Sequence, residues 1–425
     1  MGRSLLGRWR LDELPPHFVV TSVVTFLLVT GVNILAPVLP LYATTFGVTS
    51  TQVGLVIGVF ALGRFVADPL GGALSDRFGF NRLAVAGCVL TGVASIAAAA
   101  TTSFDLLLVA RAVQGVGSAL YTTAAMALII SLAPRERVGR LVATYQGVFM
   151  LGLAFGPTVG GVVASIGGLR APFYAYAVMA ALGGILAAKR LPARAVVAED
   201  RAPDPQGAEP ADRREAIRRL FTSRAFLLSL LLTLMVFWVR SGVRNTLLPL
   251  YLTTDFGFSE VMIGLVLTIN AVGTVAVLGY AGRRLDRGRR QVILRSSALT
   301  AVAVGVFVVL PSGWMLFPAS VLLGAAGGYA AAAPSVVLSD VADDRVRGFA
   351  VGIQRMATDL GLMVGPVSVG ALVDGFGHLD AFMIAALIVA AVALAMIAMP
   401  ETRPPSTAAE DDHATDDTTQ RGAVA

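Results

Sequence analysis

Seven charged side chains lie well inside the long apolar runs of this chain, away from their ends: Arg64, Asp68, Arg111, Arg240, Arg244, Arg355 and Asp359. Desolvation favours the neutral form of a carboxyl, which suits a group that must take up and release protons. An arginine in the same surroundings stays charged. At the centre of a lone spanning helix it costs about 2.5–3.5 kcal/mol on insertion scales, so it faces a cavity or a partner. Ion pairing, proton transfer and binding of polar solutes are the chemistry these residues offer. Other chemistries lack their parts. His17, His378 and His413 are scattered, and the single cysteine, Cys88, lies in an apolar run, which excludes an intrachain disulfide and a cysteine-rich metal site. There is no Ser/His/Asp set, no metal-ligand spacing and no cofactor loop. The only lysine, Lys189, follows an alanine, so no G-x4-G-K-[ST] phosphate loop exists. The expectation is a chain that is not an enzyme, with no cofactor and no metal.

The elements that must position these charges are membrane spans. Of 425 residues 56% are hydrophobic and 14% charged, with mean hydropathy +0.76, against about 25% charge in ordinary soluble domains. Apolar runs fall at 17–42, 52–74, 82–100, 104–132, 141–166 and 171–188, then at 225–251, 260–281, 291–310, 314–338, 348–373 and 379–399. Each is long enough to cross a bilayer. The reading is an all-α integral membrane protein with twelve transmembrane helices in two pseudo-symmetric six-helix bundles, 17–188 and 225–399. A cytoplasmic segment, 1–16, precedes them. It carries Arg3, Arg8 and Arg10 but no small-residue cleavage site follows, so it is read as retained. The central loop 189–224 is rich in charge, proline and alanine without apolar periodicity, and the acidic tail 400–425 reads as disordered.

Charge placement sets the orientation. With a cytoplasmic N-terminus, 27 of the 33 basic residues fall in inner loops, tails or the inner ends of spans (Arg82 and Arg295), one (Arg170) in an outer loop, and five deeper within spans. A missed or invented span would swap the side of every later loop and destroy that asymmetry. The distribution also explains the net charge of +6 without nucleic acid, since the basic residues are spread over loops as retention signals.

The chain is built twice from one plan. Leu39-Pro40-Leu41-Tyr42 recurs as Leu248-Pro249-Leu250-Tyr251, Gly54-Leu55-Val56 as Gly264-Leu265-Val266, and Gly156-Pro157 as Gly365-Pro366, all at offsets of 209 or 210. The loop Gly71–Arg82, GGALSDRFGFNR, is echoed by Gly282–Arg290, GRRLDRGRR. Parallel six-span repeats suit a transporter that binds its substrate near mid-membrane.

Three stretches resemble the signature motifs of the major facilitator superfamily: GGALSDRFGFNR, Arg111-Ala112-Val113-Gln114-Gly115-Val116-Gly117, and Gly152-x3-Gly156-Pro157-x2-Gly160-Gly161. The third is similar to the antiporter motif of the drug:proton antiporters. Gly31, Pro37 and Pro40 resemble a further motif of the twelve-span drug exporters. The resemblance covers 17–399. It implies a gating latch at Arg64, Asp68, Gly72, Asp76, Arg77 and Gly79 that holds the cytoplasmic side closed. It also implies a role for Arg111 in proton transfer. The basic pair expected after Gly79 is here Phe80-Asn81, a departure that puts the loop's full charge pattern in doubt.

The residues allow plainer readings beside these. The latch loop is otherwise a solvated loop that only sets topology, although Asp76 would be favoured at a helix N-terminus by about 0.3–1 kcal/mol. Arg111, roughly 10 Å into its span at 1.5 Å per residue, has Asp105 nearby as an alternative structural partner. Gly152, Gly156 and Gly160 form a smooth stripe for a neighbouring helix, and Pro157 favours a bend. That fits either close packing or a pliable helix that limits leak. Asp359 is the candidate proton carrier unless Arg355, one turn away, neutralises it. Asn33, Gln114, Gln146, Arg240, Arg244, Asn270, Gln354 and Arg355 are candidate cavity contacts, with helix-to-helix hydrogen bonding as the alternative for the amides.

Five arginines against two aspartates within the spans favour a neutral or anionic amphipathic substrate. The function expected is a proton-coupled exporter of small amphipathic compounds or drugs, a monomer in a prokaryotic plasma membrane with both termini cytoplasmic. Its partners are a small-molecule substrate, protons and the lipid bilayer. An importer or facilitator of a sugar or organic acid on the same scaffold is the alternative. A non-transporting sensor would need a folded soluble domain, for which 189–224 is too short.

Overall fold

The computed structural model describes residues 15–132, 135–192, 210–310, 312–343 and 346–402. Among them all regular structure is helical. Twelve helices are long and apolar enough to cross a membrane: Pro16–Ile34, Ser50–Gly71, Phe80–Ala100, Phe104–Ser131, Leu141–Gly167, Ala171–Arg190, Arg224–Thr254, Glu260–Arg287, Arg289–Val308, Gly313–Val341, Arg347–Phe376 and His378–Ala398. They are called spans one to twelve below. A helix satisfies its backbone hydrogen bonds internally, the condition for crossing hydrocarbon. Local signals set some ends. Thr49 and Gln52 form a reciprocal capping box at the start of span two, and the Ser223 hydroxyl accepts from the Phe226 N–H to open span seven.

Two readings are corrected. The run 17–42 is not one helix: span one ends at Ile34, and a short helix, Leu39–Thr44, follows a turn. Pro37 and Pro40 each lack an N–H donor and restrict the residue before them, which ends the first helix. Within 189–224, residues Pro210–Thr222 form an amphipathic helix. Ala216, Ile217, Leu220 and Phe221 recur at helical spacing, and Leu220 joins Phe226, Leu338, Ala342 and Ala350 in a buried cluster. The segments 1–14, 193–209 and 403–425 lie outside the described residues.

The chain divides into two compact units. The first holds spans one to six together with residues 257–268. The second holds the helix Pro210–Thr222, span seven, residues 269–287 of span eight, and spans nine to twelve. Inside the first unit span four packs on spans two and three, and span one on spans five and six. Inside the second, span seven packs on span eleven and span nine on span twelve.

The repeat is written into the geometry. Left-handed turns at Gly47 (φ 70°) and Gly168 (φ 75°) return at Gly257 (φ 64°) and Gly377 (φ 82°), a backbone region that glycine enters without a Cβ clash. Tyr42 meets Phe46 and Phe173 with ring centroids 5.3 and 5.0 Å apart. Tyr251 meets Phe256 and Phe382 at 5.1 and 5.2 Å.

Candidate functional site

Span two ends in the latch sequence. Arg64 and Asp68, one turn apart, approach to 3.5 Å, and Arg64 also donates to the Ser118 hydroxyl at 2.8 Å. The Asp68 side chain is 8% exposed, and both its oxygens are shielded from solvent without a hydrogen bond among the described residues. A buried carboxylate held only by a loose ion pair is poised to gain partners. The helix containing it runs Ser50–Phe78, so Asp76 occupies a last turn. A carboxylate there is disfavoured by the helix dipole, and the expected N-terminal setting is not what its own helix supplies. The Asp76 side chain and the surroundings of Gly72 lie outside the described residues. Arg77 is exposed and lies over the Phe78 ring at 5.4 Å. Gly79 turns the chain at φ 84°.

The departure at Phe80-Asn81 has a structural account. Phe80 is buried. The Asn81 side-chain amide donates to the carbonyls of Ala187, Ala188 and Leu191 at 3.3, 3.4 and 2.8 Å, capping the end of span six. The second half does the same with a different residue: Arg290 donates to the Ile397 and Met399 carbonyls at the end of span twelve.

Arg111 is 3% exposed. It donates to the Gln114 side-chain oxygen at 2.6 Å and to the Val56 carbonyl at 3.3 Å, with its guanidinium carbon 4.7 Å from the Phe60 centroid. Gln114 passes the chain on to Ser95 at 2.8 Å, and Ser95 to the Thr91 carbonyl at 2.7 Å. The alternative pairing with Asp105 is not formed, since Asp105 lies exposed in the first turn of its helix. A second buried network, absent from the sequence reading, joins spans one, four and five. The Thr25 hydroxyl lies 2.8 Å from that of Tyr121 and 3.3 Å from that of Tyr145, while Tyr121 donates to the Thr21 carbonyl at 2.9 Å. The Thr25 hydroxyl in a mostly apolar run was its sequence signal, since Thr21 contributes only a backbone carbonyl.

The glycine stripe of span five is seated closely against span one. A Cβ on Gly152, Gly156 or Gly160 would meet span one at 3.1, 2.5 and 2.0 Å, the last against the Ile34 carbonyl oxygen. One on Gly161 would lie 2.3 Å from the Glu260 carbonyl oxygen. Beside Pro157, the Thr158 hydroxyl donates to Thr268 at 2.7 Å, and Thr268 donates to the Ala154 carbonyl at 3.0 Å. That carbonyl lies in the turn where the proline loosens the helix.

In the second unit span seven leaves the α-helical pattern at Val239–Leu247, a π-helix of nine residues. Thr246 donates back to the Ser241 carbonyl at 2.9 Å, Ser241 to the Leu362 carbonyl at 3.0 Å, and Trp238 to Ser368 at 2.9 Å. A Cβ on Gly242 would stand 2.6 Å from the Gly365 carbonyl oxygen, so spans seven and eleven touch backbone to backbone. Arg240 lies in the π-helix, half-buried, with Phe237 5.9 Å away, and Arg244 is 6% exposed. On span eleven Asp359 is 5% exposed, whereas Arg355 is exposed.

The candidate amides divide. Gln114 belongs to the Arg111 network. Asn270 is buried and donates to the Ser320 carbonyl at 2.9 Å, a helix-to-helix bond. Asn33 donates to the Val29 carbonyl of its own helix. Gln146 is exposed, and Gln354 reaches Ser335 only at 3.5 Å.

Known proteins match along nearly the whole chain. The Major Facilitator Superfamily profile covers residues 21–243 and 230–420. The uncharacterized MFS-type transporter MJ1560 of Methanocaldococcus jannaschii is 26% identical over 386 residues, 89% of this chain and 96% of its own. The quinolone resistance protein NorA of Staphylococcus aureus is 24% identical over 371 residues, 85% of this chain and 90% of its own. Among solved structures a D-xylose-proton symporter superposes with TM-score 0.72 at 17% identity, over 91% of this chain and 98% of that one. The chain is a multi-pass membrane transporter and belongs to the Major Facilitator Superfamily.

Proposed function

We propose that the protein is a proton-coupled exporter of small amphipathic compounds, working by alternating access as a monomer in a prokaryotic plasma membrane. The observation that carries this reading is the seating of Gly152, Gly156 and Gly160 on the first span. There the antiporter-type sequence lies so close to span one that a Cβ is tight at Gly152 and has no room at Gly156 or Gly160. Tight apposition beside Pro157 gives a helix that can bend without opening a leak. The likeness to NorA, a protein named for quinolone resistance, points the same way. In this reading Asp359 carries the proton, Arg111 holds its network ready for the transfer, and Arg64, Asp68, Gly72, Asp76, Arg77 and Gly79 latch the cytoplasmic side. The inner loops carry the arginines, so both termini face the cytoplasm.

The test is substrate movement into inside-out vesicles, acidified inside, across a panel of amphipathic compounds. Export coupled to protons gives accumulation that collapses when the pH gradient is discharged. Accumulation indifferent to the gradient would end the coupling claim. Movement only in the opposite sense would favour the importer.

A further inference from the structure

We propose that Arg240, on the π-helical segment of span seven, binds the carboxylate of an amphipathic organic anion, and that such anions are the class of compound the chain carries. This rests on the transporter reading above, and concerns what is bound rather than which way it moves.

The first support is the position of the irregular backbone. Span one abandons its helix at Ile34 and resumes at Leu39, while span seven turns π-helical at Val239–Leu247. At the repeat offset of 209 the break at residues 35–38 corresponds to 244–247, the second half of the π-helix, so the first span of each half is interrupted at overlapping sequence positions. Interrupted helices at corresponding positions of the two repeats mark substrate sites in transporters built this way. π-helical turns also concentrate at functional positions.

The second support is the charge placed there. Arg240 is half-buried inside a span, and its guanidinium meets the Phe237 ring and no carboxylate among the described residues. Several other arginines have polar partners. Arg64 faces Asp68, Arg289 faces Asp340 at 3.1 Å, and Arg111 is bonded to Gln114 and a carbonyl. Arg244, one turn beyond Arg240, adds a like charge. A guanidinium in a span without a counter-charge is costly. A substrate carboxylate removes that cost with paired, charge-assisted hydrogen bonds.

The third support is the setting. Phe237, whose ring centroid lies 5.9 Å from the Arg240 guanidinium, supplies apolar surface on the turn below. Within the π-helix the Asn245 side-chain oxygen is buried and accepts no hydrogen bond among the described residues, an acceptor available to a hydroxyl or amide N–H. An anionic group, an aromatic or aliphatic body and one donor define an amphipathic carboxylate better than a lipophilic cation.

The experiment measures equilibrium binding to the purified full chain in lipid nanodiscs, with no gradient. The probes are aryl and alkyl carboxylates, each paired with the primary amide and the ammonium compound of the same skeleton. Wild type is expected to bind the carboxylates best, by about tenfold over their partners, and Arg240→Gln to erase that preference. Arg240→Lys should restore part of it, and thermal unfolding without ligand should show that both variants stay folded. Equal binding of all three forms, a preference for ammonium compounds, or an unchanged carboxylate preference in folded Arg240→Gln would overturn the proposal. Should carboxylates bind as expected yet ignore a pH gradient in vesicles, the proton-coupled reading fails while this one stands.

Discussion

Asn81 and Arg290, separated by 209 residues, perform one task in the two halves of the chain. Asn81 donates to the last carbonyls of span six, and Arg290 to the last carbonyls of span twelve. Each pins the start of the third helix of its half to the end of the sixth. The residue that departs from the expected basic pattern therefore keeps the bonding role by other means.

That equivalence is testable by exchange. Asn81→Ala leaves three terminal carbonyls without their donor and should cost about 1 kcal/mol of stability, the net worth of one or two hydrogen bonds. Asn81→Arg should cost little, because an arginine serves at the corresponding site. Thermal unfolding midpoints in one detergent decide it. If the arginine variant falls as far as the alanine variant, the two positions are not interchangeable.

Glu401 closes the other side of the same region. Its two side-chain oxygens accept from the backbone N–H groups of Arg289 and Arg290 at 2.9 and 3.2 Å, at the start of span nine, while Thr402 donates to Asp340 at 3.0 Å. A carboxylate at a helix N-terminus contributes about 0.3–1 kcal/mol. Glu401→Gln keeps an acceptor but loses the charge, so amide exchange at residues 289 and 290 should quicken two- to fivefold, roughly the factor that energy represents. Glu401→Ala should quicken it more. Unchanged exchange in both would show that the tail residue merely lies nearby.

The glycine stripe predicts a sharp contrast within one helix. At Gly160 a new methyl would fall 2.0 Å from a backbone oxygen, while at Gly147 nothing lies within 4 Å. Gly160→Ala should destabilise by about 1–3 kcal/mol through overpacking and reduce transport. Gly147→Ala should be neutral or stabilise by up to about 1 kcal/mol, since alanine is the better helix former. Equal tolerance at both would mean that the close approach to span one is not required.

Arg111→Lys keeps the charge but not the fork that reaches Gln114 and the Val56 carbonyl together. Losing a charge-assisted bond of about 1.5–3 kcal/mol should lower the transport rate roughly tenfold or more while the protein remains inserted and folded. Wild-type rates in this variant would assign Arg111 to charge alone.

Most of the architecture was legible in the sequence because the bilayer constrains composition so strongly. Twelve apolar runs became twelve spans, and Pro37 and Pro40 already contained the break in span one. What escaped notice depended on partners distant along the chain or on backbone hydrogen bonding. Nothing in the apolar spacing of span seven distinguishes a π-helix from an α-helix, since the change lies in which carbonyl each N–H meets. Asn81 looked like a lost charge because its acceptors are over a hundred residues away. Arg355 and Asp359 stand at one-turn spacing, which does not tell that the acid is covered and the arginine exposed. The helix Pro210–Thr222 was obscured by its charge, although four apolar residues kept helical spacing.

The central claim is that substrate and protons exchange through one cycle, and coupling of that kind runs both ways. The most direct measurement is proton movement driven by substrate alone, read with a pH-sensitive dye trapped in inside-out vesicles that start without a gradient. The account predicts that adding substrate outside makes the lumen alkaline at a rate that follows substrate uptake. Asp359→Asn should abolish the signal in folded protein. Substrate uptake by wild type with no change in luminal pH would contradict it.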